Sequence, residues 1–330
     1  MFKFFKLLFS MTLVMGTIIS ISSMSWFYSW LGLEINLLSF IILMKTPNSK
    51  YSSESISKYF MVQAMASFIL LFSIMLSTNF KMNFDLSTSS SILASLSLLM
   101  KMGAAPLHFW FPEVASGMTW NLNFILLTWQ KIAPMILLSY LIMIPNMMII
   151  FIVASSILGS ILGLNQVCLR KILAYSSINH ISWMLAAIMC SMNTWLTYLM
   201  IYSMMNFIII QMFKLWKILY ISQLSSIKNN LNKLIFVMNF LSLGGLPPFP
   251  GFMPKWIVIN QLSNNLFFYM TITMIIFTLV TLFFYMRITF SSLTLYVNNS
   301  IIFYQKSKIM PSVMTLMIFP LMIVMTMSIM

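Results

Sequence analysis

The chain has 330 residues, of which 61% are hydrophobic and 7% charged, and its formal net charge is +14. Soluble domains carry a charged share of about 25%, so a water-soluble enzyme or binding module is excluded, and any chemistry has to occur inside a membrane region. The basic residues are scattered over short loops without an RNA- or DNA-reading motif, which argues against nucleic acid as a partner.

The apolar runs read as about eleven spans, at 7–24, 26–44, 59–77, 89–111, 121–142, 146–166, 172–192, 193–213, 233–262 (interrupted), 265–286 and 309–329. Lys3 and Lys6 imitate the start of a secretory signal, but no small-residue cleavage site follows. Alternate threading puts Lys3, Lys6, Lys45, Lys50, Lys58, Arg170, Lys171, Lys214, Lys217, Lys228, Lys233, Arg287, Lys306 and Lys308 on the side of the N-terminus. Lys81 stands alone on the other. That bias puts the N-terminus on the positive-inside face and the C-terminus opposite. The serine-rich segment Ser52 to Ser57 reads as a loop capping the third span.

Four charges remain inside the spans: Glu34 in WLGLEINLLSF, Lys101, Lys131 and Lys255. Lys101 is roughly ten residues from either end of its span, or ~15 Å deep, which is the bilayer midplane. A lysine there costs at least ~2.5–3.5 kcal/mol, so it has to face protein or a water-filled cavity. Snorkelling or a structural ion pair explains any one such residue; four at mid-span point to an ion path.

Two spans are interrupted. KMGAAPLHFWFPE places Pro106 five residues after Lys101, leaving the Met102 carbonyl without its helical partner. LGGLPPFPGFMPKW, Leu243 to Trp256, ends beside Lys255 and cannot run through as one helix. The breaks fall in the fourth and ninth spans, which run in opposite directions, the pattern of an inverted five-helix repeat. The expected fold is an all-α polytopic membrane protein forming one transmembrane domain over 1–330. One repeat covers about 1–142, the second about 146–290, and a C-terminal helix about 309–329.

Several features carry less. Ser155, Gly159 and Gly163 recur at spacing four, as at a close helix contact. AYSSINHISWM puts Ser176, Ser177 and His180 on one helical face, which fits either a buried histidine satisfied by serine or a proton relay. His108 lies near the membrane surface and reads as structural. Cys168 and Cys190 flank one span, ~33 Å apart, too far for a disulfide. No nucleotide loop, haem site or iron–sulfur cysteine set is present in the sequence.

At KMGAAPLHFWFPEV, WQKIAP, AYSSINHISWM, GGLPPFPGFMPKW and WLGLEINLLSF, the chain resembles the chain 2 subunits of mitochondrial NADH:ubiquinone oxidoreductase, respiratory complex I, in their short animal form. The resemblance covers essentially the whole length. It implies an antiporter-like fold and a subunit of a proton-translocating NADH:ubiquinone reductase in the mitochondrial inner membrane, N-terminus in the matrix and C-terminus in the intermembrane space. It implies no cofactor in this chain, with NAD, FMN, iron–sulfur clusters and ubiquinone elsewhere in the complex. The implied partners are other membrane-arm and accessory subunits and phospholipids, cardiolipin among them. Synthesis from a mitochondrial genome would account for the missing import signal.

Residue by residue, the resemblance implies a proton path. Glu34 matches the carboxylate of a Glu–Lys pair and Lys101 its partner; Lys131 matches the central lysine and Lys255 the distal one, with His180 assisting between them. A carboxylate at ~5 Å acts on an ammonium by about 3 kcal/mol at an effective dielectric of 20, comparable to the cost of burying the charge. A modest change in separation would then decide whether a lysine holds or releases its proton. Two other readings stay open from sequence: an independent cation/proton antiporter, and a membrane-arm spacer whose buried charges only hold neighbours in register.

Overall fold

The computed structural model describes residues 2–45, 50–79, 84–141, 145–226 and 230–293. They form two compact units, Met1–Ser155 and Ser156–Met330. Among the described residues there is no strand, only one isolated antiparallel bridge between Cys168 and Tyr220.

The first unit holds α1 (Phe2–Ser22), α2 (Trp26–Met44), α3 (Lys50–Asn79), α4 (Phe84–Met102), α5 (Trp110–Gly117), α6 (Trp120–Leu127), α7 (Trp129–Tyr140) and the start of α8 (Pro145–Leu164). The second holds the rest of α8, then α9 (Leu169–Cys190), α10 (Met192–Trp216), a 3-10 turn (Ile221–Ser226), α11 (Asn230–Gly244), α12 (Phe252–Asn264) and α13 (Phe268–Leu293). Eight stretches among the described residues are long and apolar enough to cross a membrane: α1, α2, α3, α6 with α7, α8, α9, α10 and α13. The two interrupted segments do not qualify: α4 is long enough but too polar, with its serines, Asp85 and Lys101, α5 is short, and α11 and α12 are too short. The expected span at 309–329 lies outside the described residues.

Small residues let helices meet backbone to backbone. A Cβ on Gly32 of α2 would stand 2.6 Å from the Ser20 amide nitrogen of α1, so that contact tolerates no side chain. In the second unit, a Cβ on Gly159 of α8 would come within 2.8 Å of the Asn179 nitrogen on α9, the contact read from the spacing of small residues. Helix starts are capped where serine precedes them: Ser25 accepts from Tyr28 N–H, and Ser191 from Thr194 N–H. Cys168 and Cys190, at the two ends of α9, are free thiols.

Three boundaries differ from the sequence reading. The segment Ser52 to Ser57 is helical and belongs to α3: Ser55 and Ser57 donate back to the carbonyls of Ser52 and Glu54, and Glu54 pairs with Lys58 one turn on. The Glu54–Lys58 pair supports a helix that hydrophobicity alone does not announce. The run 121–142 divides at Thr128, whose hydroxyl takes the Phe124 carbonyl at 2.8 Å as α6 closes. Arg287, placed in a loop by the threading, lies inside α13, and its guanidinium donates to the carbonyls of Leu164 and Gln166 at the end of α8.

Candidate functional site

In the first unit the site is organised by the end of α4. Gly103 has φ +74, a left-handed conformation that glycine adopts at little cost. The Ala104 N–H reaches the Leu99 carbonyl at 3.0 Å, and the Gly103 N–H the Met100 carbonyl at 3.1 Å. This is the Schellman closure, and it ends the helix before Pro106 would have forced it to. The next carbonyl, of Lys101 itself, accepts a hydrogen bond from the Gln63 side-chain amide of α3 at 3.1 Å. Backbone polarity at the break is thus met by protein rather than left open in an apolar region.

Lys101 occupies the last turn of α4 and is buried, at 6% exposure. A helix carries partial negative charge at its carbonyl end, so the fold puts the cation where the backbone favours one. Glu34 of α2 is half-buried. It lies within electrostatic range of both Lys101 and the buried Tyr59, yet forms no ion pair with the lysine. Among the described residues the ion pairs are those of Lys58 with Glu54 at 2.7 Å and with Glu113 at 2.6 Å, a partly exposed triad joining α3 to α5.

Lys131 is more enclosed still, at 1% exposure, on α7. Its ammonium stands 5.7 Å from the centroid of the Phe111 ring. One residue before it, Gln130 donates its amide to Asn36 Oδ1 on α2 at 2.9 Å. Pro134, inside α7, has no N–H for the Gln130 carbonyl. His108 is buried and stacks on Phe109; its Nδ1 donates to the Pro106 carbonyl, a bond that stiffens the segment after the break.

The second unit repeats the closure. Gly245 has φ +80, the Leu246 N–H reaches the Leu241 carbonyl at 3.4 Å, and the Gly245 N–H reaches Ser242 at 3.0 Å. Here the remaining carbonyls are taken by Lys255, buried on α12, whose ammonium donates to Gly244 at 2.9 Å and to Leu243 at 3.5 Å. Both breaks therefore set a lysine at the carbonyl end of an interrupted helix, in its own last turn in one case and reaching across in the other.

His180 is buried on α9. Ser176 and Ser177, one turn before His180, donate back to Leu173 and Ala174 of their own helix. The Nδ1 of His180 meets the Tyr198 hydroxyl of α10 at 2.8 Å, and its ring packs on Tyr202 at 4.8 Å. A small cavity with room for about one water adjoins His180, Tyr198 and Tyr202, and is also lined by Ser242 of α11 and by Gly251 and Pro254 of the second break. The first unit thus holds Glu34, Lys101 and Lys131, and the second His180 and Lys255. Sequence reasoning missed Gln63, Phe111 and Tyr198; of these, only Gln63 left a signal, a lone amide inside the apolar run FMVQAMASF.

Residues 23–284 match the family described as NADH:quinone oxidoreductase/Mrp antiporter, TM. NADH-ubiquinone oxidoreductase chain 2 of Anopheles gambiae is 48% identical over 300 residues, 89% of this chain and 87% of that one. The chain 2 of Locusta migratoria is 44% identical over 298 residues, with 89% and 87% covered. Among solved structures, a chain of respiratory complex I from Thermus thermophilus superposes with a TM-score of 0.86 at 20% identity, over 97% of this chain and 77% of that one. A chain of the Mrp complex from Dietzia sp. gives 0.76 at 15%, over 88% and 60%. At those identities the structural likeness shows the fold, an all-α antiporter-like membrane bundle with interrupted helices. The identity to the insect proteins over nearly nine-tenths of the length shows more: the chain belongs to the NADH-ubiquinone oxidoreductase chain 2 family.

Proposed function

We propose that this chain is a proton-translocating membrane-arm subunit of respiratory complex I in the mitochondrial inner membrane. It works beside other subunits of the arm, with phospholipid at its lipid-facing sides. Electrons pass from NADH to ubiquinone in other subunits, through NAD, FMN and iron–sulfur clusters that this chain does not hold. The N-terminus faces the matrix and the C-terminus the intermembrane space, and the two breaks belong to inverted repeats of five helices.

The observation that carries this reading is the burial of Lys101, Lys131 and Lys255, two of them tied to interrupted helix ends. Three ammonium groups in an apolar interior are a large cost to stability. A spacer could achieve the same packing with leucine. In the first unit, Glu34 acts on Lys101 through space rather than through a contact, so their attraction varies with separation. At about 332/(εr) with ε near 20, moving the pair from ~5 to ~8 Å changes it by about 1.2 kcal/mol, close to a tenfold change in proton occupancy. Strain delivered from the redox reaction can work through that distance. Lys101 and Lys131 then carry the proton in the first unit, and His180 and Lys255 in the second, with water completing the relay. The hydrogen bonds of Lys255 to the break also favour a purely architectural role for that one lysine.

Lys101→Met in the assembled complex, reconstituted into liposomes, should abolish proton pumping while leaving the helices assembled. Pumping at the native ratio of protons per NADH would overturn the mechanism.

A further inference from the structure

Phe111 touches two parts of the first unit at once. Its ring lies 5.7 Å from the Lys131 ammonium, within the ~6 Å over which the negative face of an aromatic ring attracts a cation. The same side chain is pressed against the break: a Cβ added to Gly103 would stand 3.0 Å from Phe111 Cδ2 and 3.1 Å from its Cβ. The bare, left-handed glycine is what lets the backbone come this near. Gly103 is two residues beyond Lys101, and Phe111 itself is 1% exposed, with Trp110 edge-on at 5.3 Å. The ring has little room to move except with the backbone of the break.

We infer that Phe111 is a positioning residue for proton transfer, holding the Lys131 ammonium and tying its placement to the end of the helix that carries Lys101. A shift of the α4 terminus displaces the ring, and the ring displaces the charge resting on its face. The two lysines are coupled by a solid contact as well as by any water between them. A buried aliphatic side chain of the same bulk would transmit the push but could not attract the cation. This rests on the reading that Lys131 carries protons.

The experiment compares Phe111→Leu, Phe111→Met, Phe111→Tyr and Lys131→Met in the assembled complex in proteoliposomes, measuring protons moved per NADH, turnover and the quinone KM. Leucine and methionine keep the apolar bulk, and methionine fits an irregular gap should leucine prevent assembly. Tyrosine keeps the ring face. Phe111→Leu and Phe111→Met should slow pumping-coupled turnover roughly two- to thirtyfold at unchanged quinone KM, with Phe111→Tyr restoring it. Native pumping in the leucine and methionine variants overturns the inference, as does a tyrosine variant as slow as they are, which would reduce Phe111 to packing. Lys131→Met separates the two levels: if it stops pumping while the leucine and methionine variants pump normally, the proton path stands and the role of Phe111 falls. If Lys131→Met pumps as the native complex does, the path itself has failed, and the inference with it.

Discussion

Gly245→Ala tests how the second break is held. At φ +80 an alanine costs roughly 1–2 kcal/mol, because its Cβ crowds the following carbonyl. That Cβ would also stand 2.9 Å from Lys255 Nζ and 3.0 Å from its Cδ, so the lysine has to move. Moving it withdraws the donor from the Leu243 and Gly244 carbonyls, a further loss of about 1–3 kcal/mol for a buried hydrogen bond to a charged group. The sum is roughly 2–5 kcal/mol, concentrated at the end of α11. Hydrogen exchange of the assembled complex is the suitable assay, because it reads local opening amide by amide. The amides of Gly245 and Leu246, held by Leu241 and Ser242, should exchange at least an order of magnitude faster, since every 1.4 kcal/mol is about a factor of ten. The neighbouring glycine is the control. A Cβ on Gly244 meets Leu282 and Tyr285 at 3.5–3.6 Å, ordinary contact, so Gly244→Ala should leave those amides protected. Equal exchange in the two variants, or native exchange in Gly245→Ala, would refute the account of the break.

Two further substitutions probe the sites. Gln63→Leu keeps the bulk but leaves the buried Lys101 carbonyl without its donor; the complex should lose about 1–3 kcal/mol, read as a lower temperature of half-inactivation, and an unchanged temperature would show that this bond is dispensable. Tyr198→Phe removes the hydroxyl facing His180 Nδ1 and nothing else, so assembly should be normal while pumping slows; full pumping would leave that pair as packing alone.

Much of the site was legible because the membrane makes it so. A charge or a proline in an apolar run stands out, and KMGAAP and GGLPPFPGFMPK announced both the buried lysines and the broken helices. What sequence could not supply were contacts across helices. Gln63 caps a carbonyl 38 residues away, and nothing in the spacing of either segment pairs them. The serines one turn from His180 share its helical face and each donates to the carbonyl three residues back, but the Tyr198 hydroxyl that meets His180 Nδ1 comes from α10, which spacing along α9 does not reveal. The polar start of α3 was lost for the opposite reason: apolar runs do not mark a helix turn whose serines satisfy their hydroxyls on their own backbone and whose side-chain support is the Glu54–Lys58 pair.

The two helix ends close with the same backbone geometry but are finished by different chemistry. An amide such as that of Gln63 gives the same hydrogen bond whatever the acidity around it. The amine of Lys255 is a strong donor only while it keeps its third hydrogen. One terminus is therefore a fixed post, indifferent to protonation, while the other is fastened by an ammonium and would loosen whenever that group gave up a proton.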